Sequence, residues 1–268
     1  MIKDVYEVAR IGFGKGTNEL YDRARPSYPP DALSYIHQEV TVSHSKPLNV
    51  VEIGSGTGIF TRALLAHPDW ATTVGKLTAV EPSEGMRTIF SKSVLDERVS
   101  CQEGSFENTG VSSHSADLVV IAQAFHWCPD YDAAAAEFAR ILKPGGIEVL
   151  IWNLEDREAA AWVAQVRDLI EQFEQGTPQF RLNLWRAFFE TRSFESHFQP
   201  QQEHSWSYSL VSSLDTSYIA VKPEDIKSMV KAKIKEIVDI GDGKRWIDED
   251  KGLFEYPYTT LVIVFKRK

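Results

Sequence analysis

The sequence predicts an α/β fold, a doubly wound and mostly parallel sheet, and three stretches carry that reading. Leu48–Leu64, LNVVEIGSGTGIFTRAL, reads as strand, glycine turn and helix start. Between residues 48 and 152, strand-like and helix-like runs alternate five times, the rhythm of a parallel sheet built from crossovers. Tyr258–Lys266, YTTLVIVFK, is rich in β-formers and closes the sheet.

The elements follow in order. Asn18–Ala24 spells one or two helical turns that Pro26, Pro29 and Pro30 break. Asp31 can cap a helix over Ala32–Val40, with Leu33, Ile36 and Val40 on one face. Ser43–Pro47 is a loop into the first strand, Leu48–Ile53, which is apolar and β-branched as a buried parallel strand should be. The helix after the glycines runs to about Ala66. Lys76–Val80 is the second strand and delivers Glu81-Pro82-Ser83, with Ser83 as cap for a helix holding Met86, Ile89 and Phe90. Val99–Gln102 is the third strand and Asp117–Ala122 the fourth. Ala133–Leu142 is a helix of high propensity, stopped by the turn Lys143-Pro144-Gly145-Gly146, and Ile147–Trp152 is the fifth strand.

Beyond Trp152 the rhythm changes. Residues 153–200 read as helical and carry Trp162, Phe173, Phe180, Trp185, Phe188, Phe189, Phe194 and Phe198. These rings suit either a lid over a pocket or a helical subdomain with its own core. His204–Leu210 alternates like a strand, and His204 and Trp206 are minor site candidates. Pro223–Asp239 is an amphipathic helix with Ile226, Met229, Val230, Ile234 and Val238 on one face.

Bulk properties narrow the function. A chain of 268 residues can bury one large core plus a cap. Its hydrophobic fraction of 43% is that of a soluble globular protein. A formal net charge of −9 argues against a nucleic-acid partner, whose phosphates need a basic footprint. No secretory leader is visible, and no run of about eighteen apolar residues exists to span a membrane. Cys101 and Cys128 are too few for a disulfide framework, so a reducing, cytoplasmic setting is expected. Cys128 is either near a site or a small buried residue. No Asp/His cluster has metal-ligand spacing, so no metal is expected.

The glycine stretch carries the chemistry. Gly54, Gly56 and Gly58 let the backbone take positive φ and let a ligand approach, and the following helix start offers free N–H groups. The spacing is tighter than a dinucleotide fingerprint, and no Gly-Lys-Ser/Thr ending marks a phosphate loop. A carboxylate, Glu52, just before the turn suits a ligand with a cationic amine. A turn with no ligand is the alternative. Glu81, at the end of the next strand, can accept hydrogen bonds from ribose hydroxyls. Gly104-Ser105-Phe106 ends the third strand, where Ser105 can bond an adenine edge and Phe106 can either cover the base or pack in the core.

The glycine turn resembles motif I of the class I S-adenosylmethionine-dependent methyltransferases. With Glu81, the DLVVIA strand and the Lys143–Gly146 turn it makes a joint match over residues 48–152. The Tyr21–Pro29 segment and Phe125-His126-Trp127 resemble the trans-aconitate-methyltransferase-like branch (methyltransferase type 11), especially its fungal small-molecule members. This resemblance implies a Rossmann-like sheet of about seven strands whose last strand is antiparallel, with a helical cap insertion. It divides the chain into an N-terminal lid (1–47), a cofactor core (48–152), a cap (153–203) and the rest of the sheet (204–268).

The same resemblance implies S-adenosylmethionine as cofactor and S-adenosylhomocysteine as product. The turn residues Glu52, Gly54, Ser55, Gly56, Thr57 and Gly58 would hold it, together with Glu81, Pro82 and Met86. Ser105, where the family more often has an acid, Phe106 and Gln123 would complete the site. Tyr21 and Arg25 would close over its methionine carboxylate, although Arg25 can equally pair with Glu19 or Asp22 on the surface. His126 is the candidate catalytic base, or a histidine that orders its loop. His126 and Trp127 are the candidate substrate residues, with plain packing the alternative for Trp127. The expected reaction is in-line methyl transfer to a small organic acceptor, a carboxylate or hydroxyl oxygen being favoured. A cofactor-binding regulator or scaffold, and a dehydrogenase, are the rival readings.

Overall fold

A computed structural model describes residues 25–41, 47–174, 176–212 and 224–268. The turns expected over 18–24, including Tyr21, and the loop expected over 43–47 up to residue 46 lie outside the described residues. So does the side chain of Ile226.

The chain order is α1 (Pro30–Thr41), β1 (Leu48–Ile53), α2 (Ile59–Ala66), β2 (Val74–Val80), α3 (Glu84–Ser93), β3 (Val99–Gln102) and β4 (Ala116–Ala122). Then come α4 (Tyr131–Ile141), β5 (Leu142–Glu155), α5 (Ala161–Glu171), α6 (Arg192–His197), β6 (Gln202–Ser212), α7 (Glu224–Ile240), β7 (Trp246–Asp248) and β8 (Leu253–Lys266). The sheet order is β3-β2-β1-β4-β5-β8-β6, with β7 beside β8. β1 to β5 pair in parallel, while β8 runs antiparallel to both β5 and β6. The fold is therefore the Rossmann-like sheet expected, with β8 inserted between β5 and the edge. The order reverses between β1 and β4. That switch point opens a crevice at the carboxyl ends of the strands, where ligands of such sheets bind.

Strand alternation sets the two faces. Val51, Ile53, Val119, Ile121, Leu150 and Trp152 face one buried cluster, shared with Phe138 of α4. Val50, Leu118, Val120 and Val149 face the other, under α1 and α2. Asp117 fastens the strand starts. Its Oδ2 accepts from the Asn49 N–H at 2.8 Å and its Oδ1 pairs with Lys143 Nζ at 2.7 Å.

Three expectations change. Lys143-Pro144-Gly145-Gly146 is no separate turn. The helix ends at Ile141 and these residues begin β5, with a register shift opposite Ala116 and Leu118. The aromatics after residue 153 do not form a subdomain with one core of its own. Trp185, Phe188, Phe194 and Phe198 pack with Phe125, Phe138 and Phe265 against the sheet, because a large ring is best buried where a wide apolar face already exists. Trp162 instead joins Val230, Ile234, Val238, Phe254 and Tyr256 in a second cluster between α5, α7 and β8. Met229 is exposed, since Val230, Ile234 and Val238 already fill that contact face.

Candidate functional site

One cavity of about 550 Å³ opens at the switch point. Its first end is built from strand ends. Ile53, Gly54 and Gly56 follow β1; Glu81, Pro82, Ser83 and Met86 follow β2; Ser105 and Phe106 follow β3; and Gln123 and Ala124 follow β4.

Gly54 (φ +72°) needs to be glycine twice over: its φ is left-handed, and a Cβ there would lie 2.7 Å from Ala124 Cβ. Gly56 (φ +56°) differs, because a Cβ there would meet nothing within 4 Å. The bare backbone at 56 thus faces open space on the cavity wall. Glu81 staples this bend. Its Oε2 accepts from the Gly56 N–H at 2.9 Å and its Oε1 from the Ser83 N–H at 2.8 Å. Burial raises the Glu81 pKa, and those N–H bonds and Arg87 oppose the rise. Ser83 caps α3, accepting from the Met86 N–H at 3.3 Å.

Four expected cofactor residues lie off the cavity wall. Glu52 is buried beneath the turn, where its Oε2 accepts from Thr61 Oγ1 of α2. Desolvation, and next the nearby Glu81 charge, push its pKa up to about 8 against the lowering bond from Thr61. It fastens β1 to α2 instead of meeting a ligand amine. Ser55 and Thr57 are buried, and Thr57 O accepts from Arg62 Nη1 at 2.8 Å. At Gly58 a Cβ would lie 2.7 Å from Val94 and 3.0 Å from Phe90, so this glycine serves packing of the turn on α3. The motif spacing identified the bend, but only the fold separates residues that face the cavity from residues that hold it.

The remaining expected residues do reach the wall. Phe106 lines the cavity and also packs in the core, meeting Phe125 edge-on with ring centroids 5.8 Å apart. Ser105 Oγ accepts from the Asn108 N–H at 3.2 Å. Gln123 sits at φ 59°, a strained value for a side chain that size, and its Nε2 donates to Asn153 O at 2.7 Å. Arg25 reaches the same cavity from the N-terminal side.

His126 and Trp127 form a 3₁₀ turn at the cavity wall after β4. The surroundings of His126 speak against the base assignment. Trp152 Nε1 can only donate, and it donates to His126 Nδ1 at 3.3 Å. The ring proton therefore sits on Nε2. Desolvation, and then the Arg25 charge, push the His126 pKa down to about 3. The ring stays neutral and is too weak a base near pH 7.

Apart from Phe180, one of the rings offered as a lid over a pocket, the second end of the cavity was not read from the sequence. Trp152, Asn153, Leu154, Glu155 and Asp156 continue β5 past the switch point; Arg157, Arg167 and Glu171 come from or beside α5; Gln179, Phe180 and Arg181 follow; and Thr259 comes from β8. The rule that ligands sit at strand ends would have found the β5 residues, had the strand been drawn past Trp152. Among the described residues no group of three or more His, Cys, Asp or Glu is placed to hold a metal, and no helix is long and apolar enough to cross a membrane.

Residues 51–150 match the family described as "Methyltransferase domain". By this match the chain carries a class I S-adenosylmethionine-dependent methyltransferase core over those residues. It is 29% identical over 224 residues to an uncharacterized methyltransferase-like protein of Schizosaccharomyces pombe, covering 81% of this chain and 82% of that one. An uncharacterized methyltransferase of Mycobacterium tuberculosis is 27% identical over 85% of this chain and 86% of its own length. Among solved structures, the YcgJ protein from Bacillus subtilis shares the fold, with a TM-score of 0.55 at 19% identity, covering 89% of this chain and 98% of the other. These likenesses favour the methyltransferase reading over the dehydrogenase and scaffold readings.

Proposed function

We propose that this methyltransferase binds S-adenosylmethionine along the first end of the cavity and methylates a small organic molecule held in the second. The observation that supports this most is the single cavity of about 550 Å³ running from the glycine bend to the residues beyond β5. That is within the range of small-molecule sites, which span about 300–1,000 Å³.

The residues fit the donor. The bare backbone at Gly56 leaves room for close approach, and the Glu81 carboxylate borders the same wall. Glu81 is assigned to the ribose hydroxyls, Phe106 and Ser105 to the adenine, Pro82 and Met86 to its other flank, and Gln123 and Arg25 to the methionine part. Tyr21 is assigned with Arg25 to closing the site. Glu52, Ser55, Thr57 and Gly58 are assigned to shaping the bend.

When bound, the cofactor supplies a methyl group on a sulfonium sulfur. The protein then has to place the acceptor and exclude water, and positioning alone supplies effective molarities of about 10⁵–10⁸ M. Trp127, Trp152 and Phe180 give an apolar wall for that purpose. His126 contributes an Nε2–H donor that orients a polar group. Residues 1–47 are assigned as a lid, 48–152 as the cofactor core, 153–203 as a cap and 204–268 as the remainder of the sheet.

The test is transfer of a labelled methyl group from S-adenosylmethionine into a cell extract fractionated by size. Label in the low-mass fraction supports the reading. Label confined to protein or nucleic acid contradicts it.

A further inference from the structure

The second end of the cavity carries a network of ion pairs. Three guanidinium groups stand there, and each is already engaged. Arg157 pairs with Asp168 and, at 3.4 Å, with Glu171. Arg167 lies 3.5 Å from each of Glu155, Glu171 and Glu174. Arg181 pairs with Glu171 at 3.1 Å and Glu174 at 2.6 Å. Of these acids Glu155 and Glu171 lie on the cavity wall, together with Asp156.

The acids are not equivalent. Asp156 is fully used: Oδ1 accepts from the Glu158 and Ala159 N–H groups at 3.1 Å, and Oδ2 from Thr259 Oγ1 at 3.0 Å. Glu171 is shared by three arginines. Glu155 has one ionic contact among the described residues, Arg167 at 3.5 Å, beyond good hydrogen-bond length. It ends β5, its side chain is 12% exposed, and it lies on the cavity wall with the rings of Trp127, Trp152 and Phe180.

An anionic acceptor would have to displace carboxylates from arginines they already hold. A cation meets the opposite situation: aromatic faces that attract it and a carboxylate with bonding capacity to spare.

We propose that the acceptor is a small organic amine, bound against these rings with its ammonium on Glu155, in place of the oxygen acceptor that the family resemblance favours. Glu155 also has a chemical part. A protonated amine has no lone pair to offer. The N–H proton passes to a Glu155 carboxylate oxygen, leaving a neutral amine and a neutral carboxylic acid. Arg167, balanced among three carboxylates, shifts toward Glu171 and Glu174 as the amine takes its place beside Glu155.

This rests on the small-molecule reading above, and the experiment separates the two. Protein saturated with S-adenosylhomocysteine is titrated calorimetrically with benzylamine, benzyl alcohol and benzoate, probes of one shape and three charges. Benzylamine is expected to bind at least about tenfold more tightly than benzoate, a difference of about 1.4 kcal/mol. Glu155→Gln is expected to weaken benzylamine about tenfold without weakening benzoate. Benzoate binding as well as or better than benzylamine, or no benzylamine binding at all, overturns the inference. An unchanged benzylamine affinity in Glu155→Gln overturns it too. If that variant does not fold, the ranking on the unaltered protein still decides. Failure of S-adenosylhomocysteine itself to bind instead removes the reading on which the inference rests.

Discussion

The two ends of the cavity are made in different ways. The proposed donor end is backbone: a glycine bend, helix starts and strand ends, stapled by Glu81 through two N–H groups. The proposed acceptor end is side chain: aromatic rings and an arginine–carboxylate network drawn from β5, α5 and the turns after it. A backbone site serves one ligand across many sequences, because few residues can make it. A side-chain site is free to change with each substitution. Altering the two ends should therefore give separable results.

The largest effect is expected away from both ends. Trp185→Ala should cost about 3–5 kcal/mol of stability, the usual price of deleting a buried tryptophan, because the ring stacks on Phe180 and Trp152 within the main core. Denaturant unfolding measures it, and a loss below about 1 kcal/mol would make this ring part of a mobile lid instead.

Next come the glycines. Gly54→Ala should cost about 2–4 kcal/mol, combining a left-handed φ with an overpacked contact on Ala124. Gly56→Ala meets no neighbour, so it should cost only the backbone part, about 1–2 kcal/mol. Equal losses in thermal or denaturant unfolding would erase the distinction between the residue that builds the bend and the one that faces the ligand.

Much of the donor end was legible in the sequence. The run from Leu48 to Leu64, Glu81 after its strand, and Ser83 as a cap depend on local rules of period, capping and turn chemistry, and the fold keeps them. What escaped depends on distant contacts. Glu52 belongs to the glycine motif yet turns away, because strand alternation aims it at Thr61. His126 looked like a base until Trp152, 26 residues away, fixed its tautomer. Glu155 was missed because β5 runs past Trp152, a length set by its antiparallel partner β8 and not by its own composition.

A smaller effect concerns pH. The Glu52 pKa is raised to about 8, so its stabilising contribution is complete below the ordinary carboxylate range and is lost as pH rises through about 8. The unaltered protein should therefore lose stability relative to Glu52→Gln between about pH 5 and pH 8, in melting curves taken at each pH. Parallel curves would place Glu52 in water instead of beneath the turn.

The smallest expected effect is at His126. Its ring should remain neutral, with the proton on Nε2, down to pH 5 in nitrogen NMR spectra. His126→Gln should lower methyl transfer by less than about tenfold, whereas loss of a general base costs about 10²–10⁴.

The most direct test is calorimetric titration with S-adenosylhomocysteine of the unaltered protein, Gly56→Val and Glu81→Ala. Binding by the first, with loss in both variants, is the result expected if the donor lies on the bend after β1 with its sugar beside Glu81. No binding by the unaltered protein, or the same affinity in all three, would place the donor elsewhere.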